Sequence, residues 1–380
     1  MTLANRIAIP VALATLALTP AIADGFHNQN GSILAQLPTS PERIVSTVPS
    51  NGDGNPYGVA FVPQGFRGGG LEPGDVLVSN FNSSSGTQGT GTTIVRITPD
   101  GKQSTFFQGT PPLGLTTALG VLKAGFVLVG NVPTTSSGMA EQGSLLVIDG
   151  RGKLAATLTD PMLLDGPWDL AVNDLGNFAQ IFVSNVLNGT VTRLNVRLGE
   201  EGKGERGNDR GNSGDKGSKG EFQVLSKTQI AQGYAFAPND AAVVVGPTGL
   251  AYSPFGDVLY VASTDDNAIF AISHAAFANQ AVNKGTLVYQ DAAHLHGPLG
   301  LALAPNGNLI TANGDAVFAG GSANELVEFT IHGSFVAEFQ VDPGNAGAAF
   351  GLAFSRDGFN IRFAAVNDNQ NQLDIWHVHP

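Results

Sequence analysis

Two short stretches of the 380-residue chain carry residue types that could do chemistry. Asp165-Gly166-Pro167-Trp168-Asp169 sets two carboxylates around an indole, and His294-Leu295-His296 sets two imidazoles at i and i+2. If the second stretch is extended, both rings fall on one side. With oxygen ligands from Asp169, Asn313 or Asp315 they would then suit a divalent cation, the equipment of a metal-assisted hydrolase or lyase. The plainer account is loop histidines in solvent and a tryptophan covering a packed surface, because no spacing here matches a zinc pattern. His377 and His379 repeat the i, i+2 spacing at a terminal strand, where solvation accounts for them. Other chemistries are excluded outright. The chain has no cysteine, hence no disulfide, thiolate metal site or cysteine nucleophile. It has no Gly-x-Ser-x-Gly elbow, phosphate loop or His-Glu-x-x-His helix. With 31 acidic against 19 basic residues and a net charge of -12, it is no nucleic-acid binder, since phosphate-backbone affinity rests on clustered Lys and Arg.

The elements that must hold these residues are strands. Fifty glycines and 21 prolines, separating β-branched and aliphatic runs, argue for many short strands joined by turns. A phrase of the form Pro-x-Gly-aliphatic, followed about ten residues on by a β-rich run ending in a small residue and Asn, recurs six times. Its clear copies begin at Pro56, Pro247, Pro298 and Ala349, and looser ones at Ala118 and Pro167. The motif glycines or their equivalents are Gly58, Gly120, Asp169, Gly249, Gly300 and Gly351, at spacings of 62, 49, 80, 51 and 51. Periods of that size with several strands in each belong to propeller blades. The fold expected is therefore all-β: a six-bladed β-propeller of four-stranded antiparallel blades. The last copy has only three strands, and Arg43 to Val48 precede the first copy without a blade of their own. They are expected to supply the missing outer strand and close the ring, so that no raw edges face each other.

In such a ring each inner strand lines the channel and the second strand returns to the channel mouth. The residues ending the second strands are Asn80, Asn131, Asn185, Ser263, Asn313 and Asn367. Together with Trp168 and Asp169 they are the candidate ligand-binding residues; the candidate metal ligands are His294, His296 and Asp315. An amide ring would suit a polar ligand or a hard cation. The plainer account is that each Asn bonds the neighbouring turn, since a residue needed once has no reason to recur in five blades.

The repeated phrase resembles the NHL-repeat type of six-bladed propeller over roughly Arg43 to Pro380, and the fourth copy resembles gluconolactonase and regucalcin-like lactonases and streptogramin lyases. For the lactonases the resemblance implies an Asn before one motif glycine and an Asp before the next as metal ligands, with a Glu from an early blade. Here those two positions are Thr248 and Leu299, and Leu cannot ligate a metal. For the lyases it implies a His before a motif glycine, where this chain has Tyr57, Leu119, Thr248, Leu299 and Phe350. Neither set of catalytic residues is matched, and fold alone does not license an activity.

Two segments stand apart. Met1 to Ala23 has one charge at Arg6, an uncharged run from Ile7 and an Ala-Ile-Ala end, which describes a secretory signal peptide. The mature chain, 24–380, is expected to be one propeller domain, a monomer, periplasmic or secreted, with no membrane insertion after cleavage. Residues 199–220, GEEGKGERGNDRGNSGDKGSKG, read as a flexible loop inserted in the third blade. The function expected is a binding module for a small polar ligand, glycan or protein at the channel mouth.

Overall fold

The computed structural model describes residues 31–199, 221–314, 317, 325–342 and 349–378. Met1 to Ala23, residues 200–220, Asp315 and His379 lie outside them. Six antiparallel sheets form the blades of a propeller, each running from an inner strand to an outer one. Blade 1 comprises Gly54–Phe61, Val76–Asn82, Thr93–Ile97 and Gln103–Gln108; blade 2 comprises Leu115–Leu122, Phe126–Asn131, Ser144–Asp149 and Leu154–Leu158. Blade 3 has Pro167–Asp174, Phe178–Asn185, Thr190–Leu198 and Phe222–Gln232; blade 4 has Pro247–Ser253, Val258–Ser263, Ala268–Ser273 and Thr286–Tyr289. Blade 5 is Pro298–Leu303, Leu309–Asn313, Leu326–Phe329 and Phe335–Phe339. Blade 6 takes Ala349–Asp357, Asn360–Asn367 and Gln372–Val378 from the end of the chain and Arg43–Ser46 from its beginning, with Arg43 opposite Ile375. The expected closure is thus observed.

Blade 3 departs from four strands. Val282–Asn283, from the connection between the last two strands of blade 4, pairs in parallel with its outer strand at Ala231 and Gln232. The charged insertion falls between the strands that pair Leu198 with Phe222.

The core is divided into wedges, because each sheet is covered on both faces by its neighbours. One cluster joins blades 1 and 2 around Leu77, Ile94, Leu119 and Val129. Equivalent clusters join blades 2 and 3, 3 and 4, and 4 and 5. Between blades 5 and 6 the wedge also takes Ile33, Leu34 and Leu37 from the segment preceding the closing strand. That segment is pinned by Glu328, fully buried, which accepts from Ser32 Oγ at 2.6 Å, the Leu34 amide at 2.9 Å, and Asn306 and Asn308 Nδ2 at 2.8 and 2.7 Å.

The recurrence of the motif glycine has a steric cause. A Cβ at Gly249 would stand 2.3 Å from the Leu299 carbonyl oxygen, one at Gly300 1.9 Å from that of Phe350, and one at Gly351 2.2 Å from that of Tyr57. Each inner strand presses against the backbone of the next, and only glycine permits that approach. Hydroxyls fasten the same joints elsewhere: Ser79 Oγ donates to Thr116 O at 2.8 Å, Ser184 Oγ to Thr248 O at 2.7 Å, and Thr264 Oγ1 to Pro298 O at 2.7 Å.

Candidate functional site

The register of the inner strands decides which side chains reach the channel. Pro56, Leu115, Pro167, Pro247, Pro298 and Ala349 pair with the residues ending the second strands, from Asn80 round to Asn367. Regular pairing resumes at Val59, Leu119, Leu170, Leu250, Leu301 and Leu352, which form an aliphatic girdle. Blade 2 needs four residues to get from one position to the other where the remaining blades need three. Thr116 therefore takes the place of Tyr57 in this blade, and Thr117 that of the motif glycine, its hydroxyl donating to the Trp168 carbonyl. This corrects the sequence alignment, which assigned those positions to Leu119 and Gly120.

The mouth at the asparagine end is filled by the protein itself. Tyr57, fully buried, stacks on Phe81 and Phe350 with ring centroids 4.4 Å away in both cases, and Trp168 meets Phe81 edge-on at 5.5 Å. Leu299, Val132, Val186 and Val244 belong to the same cluster. Val244 comes from a hairpin of Ala237–Asn239 and Val243–Val245, in the connection between blades 3 and 4. Gln88 of blade 1 donates to the Ala241 carbonyl at 3.1 Å. Blades 1 and 4 face each other across the ring, so the hairpin spans the mouth. Sequence reasoning missed this cap; its run of valines resembles any other strand.

Asp169 lies beneath this plug. Its carboxylate faces a channel cavity of about 60 Å³, lined otherwise by the girdle, Thr117 and Gly351. Oδ1 accepts from the Leu170 amide at 2.7 Å and Oδ2 from the Leu250 amide at 3.2 Å. Burial drives its pKa well above the usual carboxylate range, and the two amide bonds oppose that shift only in part. Trp168 does not front the cavity, being 1% exposed within the plug.

The asparagine ring is buried, and most of its polar atoms are engaged by the protein, Asn80 Oδ1 and Asn185 Oδ1 being the buried atoms without a partner among the described residues. Asn80 Nδ2 donates to Thr47 O at 3.0 Å, and Asn185 Nδ2 to Leu163 O at 3.2 Å. Asn131 Oδ1 accepts from Gly114 N at 2.8 Å. Asn313 does both, donating to His294 O at 2.7 Å and accepting from His296 N at 3.0 Å. Asn367 Oδ1 accepts from Gln370 N at 3.1 Å, and Ser263 Oγ donates to Asp266 at 2.7 Å. In most blades the partner is the loop leading into that blade, so the ring holds successive blades to their connections.

His294 and His296 sit in a turn, not an extended stretch: the amides of His294 and Leu295 both donate to Asp291 O, at 3.2 and 2.8 Å. The extended backbone on which a shared side depended is therefore not formed at His294-Leu295, and His296 Nε2 is buried without a hydrogen-bond partner among the described residues. His294 is held at the outer edge of blade 5, with Nδ1 2.6 Å from Asp291 Oδ2, Nε2 3.7 Å from Glu338 Oε1, and its ring stacked on Phe335 at 3.9 Å. Asp169 by contrast opens into the central channel. Thr248, at a position where the lactonases would carry a ligand, shares its hydroxyl with Thr264 at 2.8 Å and Pro298 O at 3.1 Å. Among the described residues no group of three His, Asp or Glu is arranged to hold a metal ion.

The architecture and its channel define the class: a six-bladed β-propeller. No family model and no curated protein matches the chain. Solved structures do. The calcium-binding protein regucalcin of Agrobacterium tumefaciens is similar at 13% identity and a TM-score of 0.50, over 88% of this chain and 94% of that one. A gluconolactonase of Xanthomonas campestris aligns at 14% identity and a TM-score of 0.48, over 88% and 89%. A luciferin-regenerating enzyme aligns at 9% and 0.48, over 89% and 95%. At these identities the likeness to regucalcin speaks for the fold alone.

Proposed function

We propose that this chain is an exported NHL-like propeller that works as a binding module, contacting a glycan or protein with the face that carries the capped channel mouth. One observation carries the reading: the hairpin Ala237–Val245 and the Tyr57, Phe81, Trp168 and Phe350 rings occupy the place where a small substrate would enter the channel. Among the described residues, those outward on that face include Phe236 at 48%, Met139 at 65% and Met162 at 76% exposure. Exposed aromatic and methionine side chains favour a macromolecular contact over solvent. Positions 248 and 299 hold side chains bound into the core. The other reading, a metal-assisted hydrolase or lyase, needs His294 or His296 to act with Asp169.

The test has two arms on the purified mature protein. Metal analysis after dialysis is expected to find no stoichiometric divalent ion; such an ion, lost in His296→Ala, would overturn the reading in favour of the enzyme. A glycan array and crosslinking to envelope proteins are expected to give a partner whose binding falls at least tenfold in Phe236→Asp with Met162→Asp. Undiminished binding by that variant would remove this face from the function.

A further inference from the structure

Lys and Arg number only 19 in this chain, yet three of them line one cavity on the face opposite the asparagine ring. The cavity holds about 470 Å³, within the usual range for small organic ligands, and lies where blade 1 meets the strand-closed blade 6. Arg362 and Arg356 come from blade 6 and Lys123 from the first turn of blade 2; Phe61 and Phe354 supply apolar wall, and Asp357 is the single carboxylate of the lining.

We propose that this cleft binds a small organic oxyanion, a carboxylate or phosphate on an apolar ring, with Arg362 as its anchor and Lys123 and Arg356 at its rim. Arg362 is built for the task. Its guanidinium lies over the Phe61 ring at 4.9 Å, which fixes the plane of the fork, and Nη2 donates to the Gly74 carbonyl at 3.3 Å. Half-buried, it has no carboxylate of the described residues within ion-pair distance, and burial pulls its pKa below the ordinary value. A partly desolvated cation with unused donors is completed by a bidentate oxyanion. Glu42 and Asp357 both act on it electrostatically and oppose that shift, but neither carboxylate is in contact with it. Behind the cleft a second cavity of about 210 Å³ shares Pro99, Asn360 and Arg362 and adds Arg43 with Glu42 and His377, so that four Lys and Arg side chains face two carboxylates across the two cavities. In a protein of net charge -12, such a local excess of positive charge draws anions to one place on the surface. A ligand there would touch blade 1, blade 2 and blade 6 together, tying the two sides of the ring closure.

Calorimetric titration of the mature protein with phenyl phosphate, benzoate, inorganic phosphate and benzyl alcohol tests the assignment. The expected result is saturable one-site binding of at least one aromatic anion, binding of inorganic phosphate at least tenfold weaker, and none of benzyl alcohol. Comparing the two aromatic anions separates a phosphate ligand from a carboxylate. Lys123→Gln with Arg356→Gln, both exposed and outside the core, is expected to weaken binding severalfold and to flatten its salt dependence. Arg362→Lys, which keeps the charge but loses the fork, is expected to weaken it tenfold or more. Absence of saturable binding by both aromatic anions at millimolar concentration, equal binding of benzyl alcohol, or unchanged affinity in both variants would overturn the proposal. The cleft and the capped mouth lie on opposite faces, so a failure here leaves the binding-module reading to its own test.

Discussion

Gly300→Ala isolates the contact that lets six blades close into a ring. The new Cβ would stand 1.9 Å from the Phe350 carbonyl oxygen, against about 3.4 Å for an ordinary contact, so blade 6 must retreat by roughly 1.5 Å or the inner strand of blade 5 must twist. The obstacle is backbone, so no rotamer change relieves it. Overpacking costs typically about 1–3 kcal/mol and more where the neighbour is rigid, while Ala recovers about 0.5–1 kcal/mol of the chain entropy that Gly loses. A net loss of about 3 kcal/mol is expected, roughly 4 °C in the thermal midpoint of a chain this long. Urea titration followed by tryptophan fluorescence measures it, since Trp168 and Trp376 are both buried. Gly70→Ala is the control, because nothing lies within 4 Å of its Cβ position, and it should fall within about 0.5 kcal/mol of wild type. A Gly300→Ala protein as stable as that control would refute the close-approach account of the repeated glycine.

Stability is also expected to fall as pH rises from about 4 to 7, a trend contrary to ordinary acid unfolding. Burial pushes Asp368 up to about 7 and Asp374 up to about 6, whereas both titrate near 3.9 in the unfolded chain. In that window the folded state holds protons that the unfolded state has lost, so each group contributes stability present at low pH and lost as pH rises through its folded value, at up to about 1.4 kcal/mol per unit. Asp160 and Asp291, held low by Lys227 and His294, act in the opposite sense but only below about pH 4. Urea midpoints at pH 5 and pH 8 check the sign: a higher midpoint at pH 8, or an Asp368→Asn variant with an unchanged slope, would defeat it. Asn185→Ala should cost about 1–3 kcal/mol by leaving Leu163 O, Thr190 Oγ1 and Thr192 Oγ1 without the amide that donates to them; a loss below about 0.5 kcal/mol would show that the ring is not a structural brace.

The architecture was legible because the same steric demand recurs. Gly249, Gly300 and Gly351 meet a carbonyl of the next blade, so the phrase around them returns with the blade period. The closing strand was legible by subtraction, from a last copy lacking an outer strand. Register in blade 2 was not, because its one extra residue leaves a glycine, Gly120, that mimics the motif from a position facing Leu170. Whether His294-Leu295-His296 is extended could not be read from its spacing, because Asp291 folds the segment into a turn by accepting at both its carbonyl and its carboxylate. The mouth cap depends on Gln88 meeting Ala241, and the cationic cleft gathers Lys123 with Arg362. Neither pairing leaves a local motif, since ring closure rather than sequence spacing brings the residues together.

The two ends of the ring consequently invite different chemistry. Within the channel a cation would meet one carboxylate, Asp169, against six aliphatic side chains. Burial in such surroundings disfavours the charged form of the carboxyl. The residues that could have shared the charge are aliphatic or hydroxylic here, Leu299 and Thr248 among them. At the closure of blades 1 and 6 the balance differs: the Arg362 charge is already fixed and partly desolvated, with Glu42 and Asp357 near enough to act on it but neither in contact, and the cost of removing it from water has been met by folding. An oxyanion arriving there completes an electrostatic arrangement, whereas a cation arriving in the channel would have to create one.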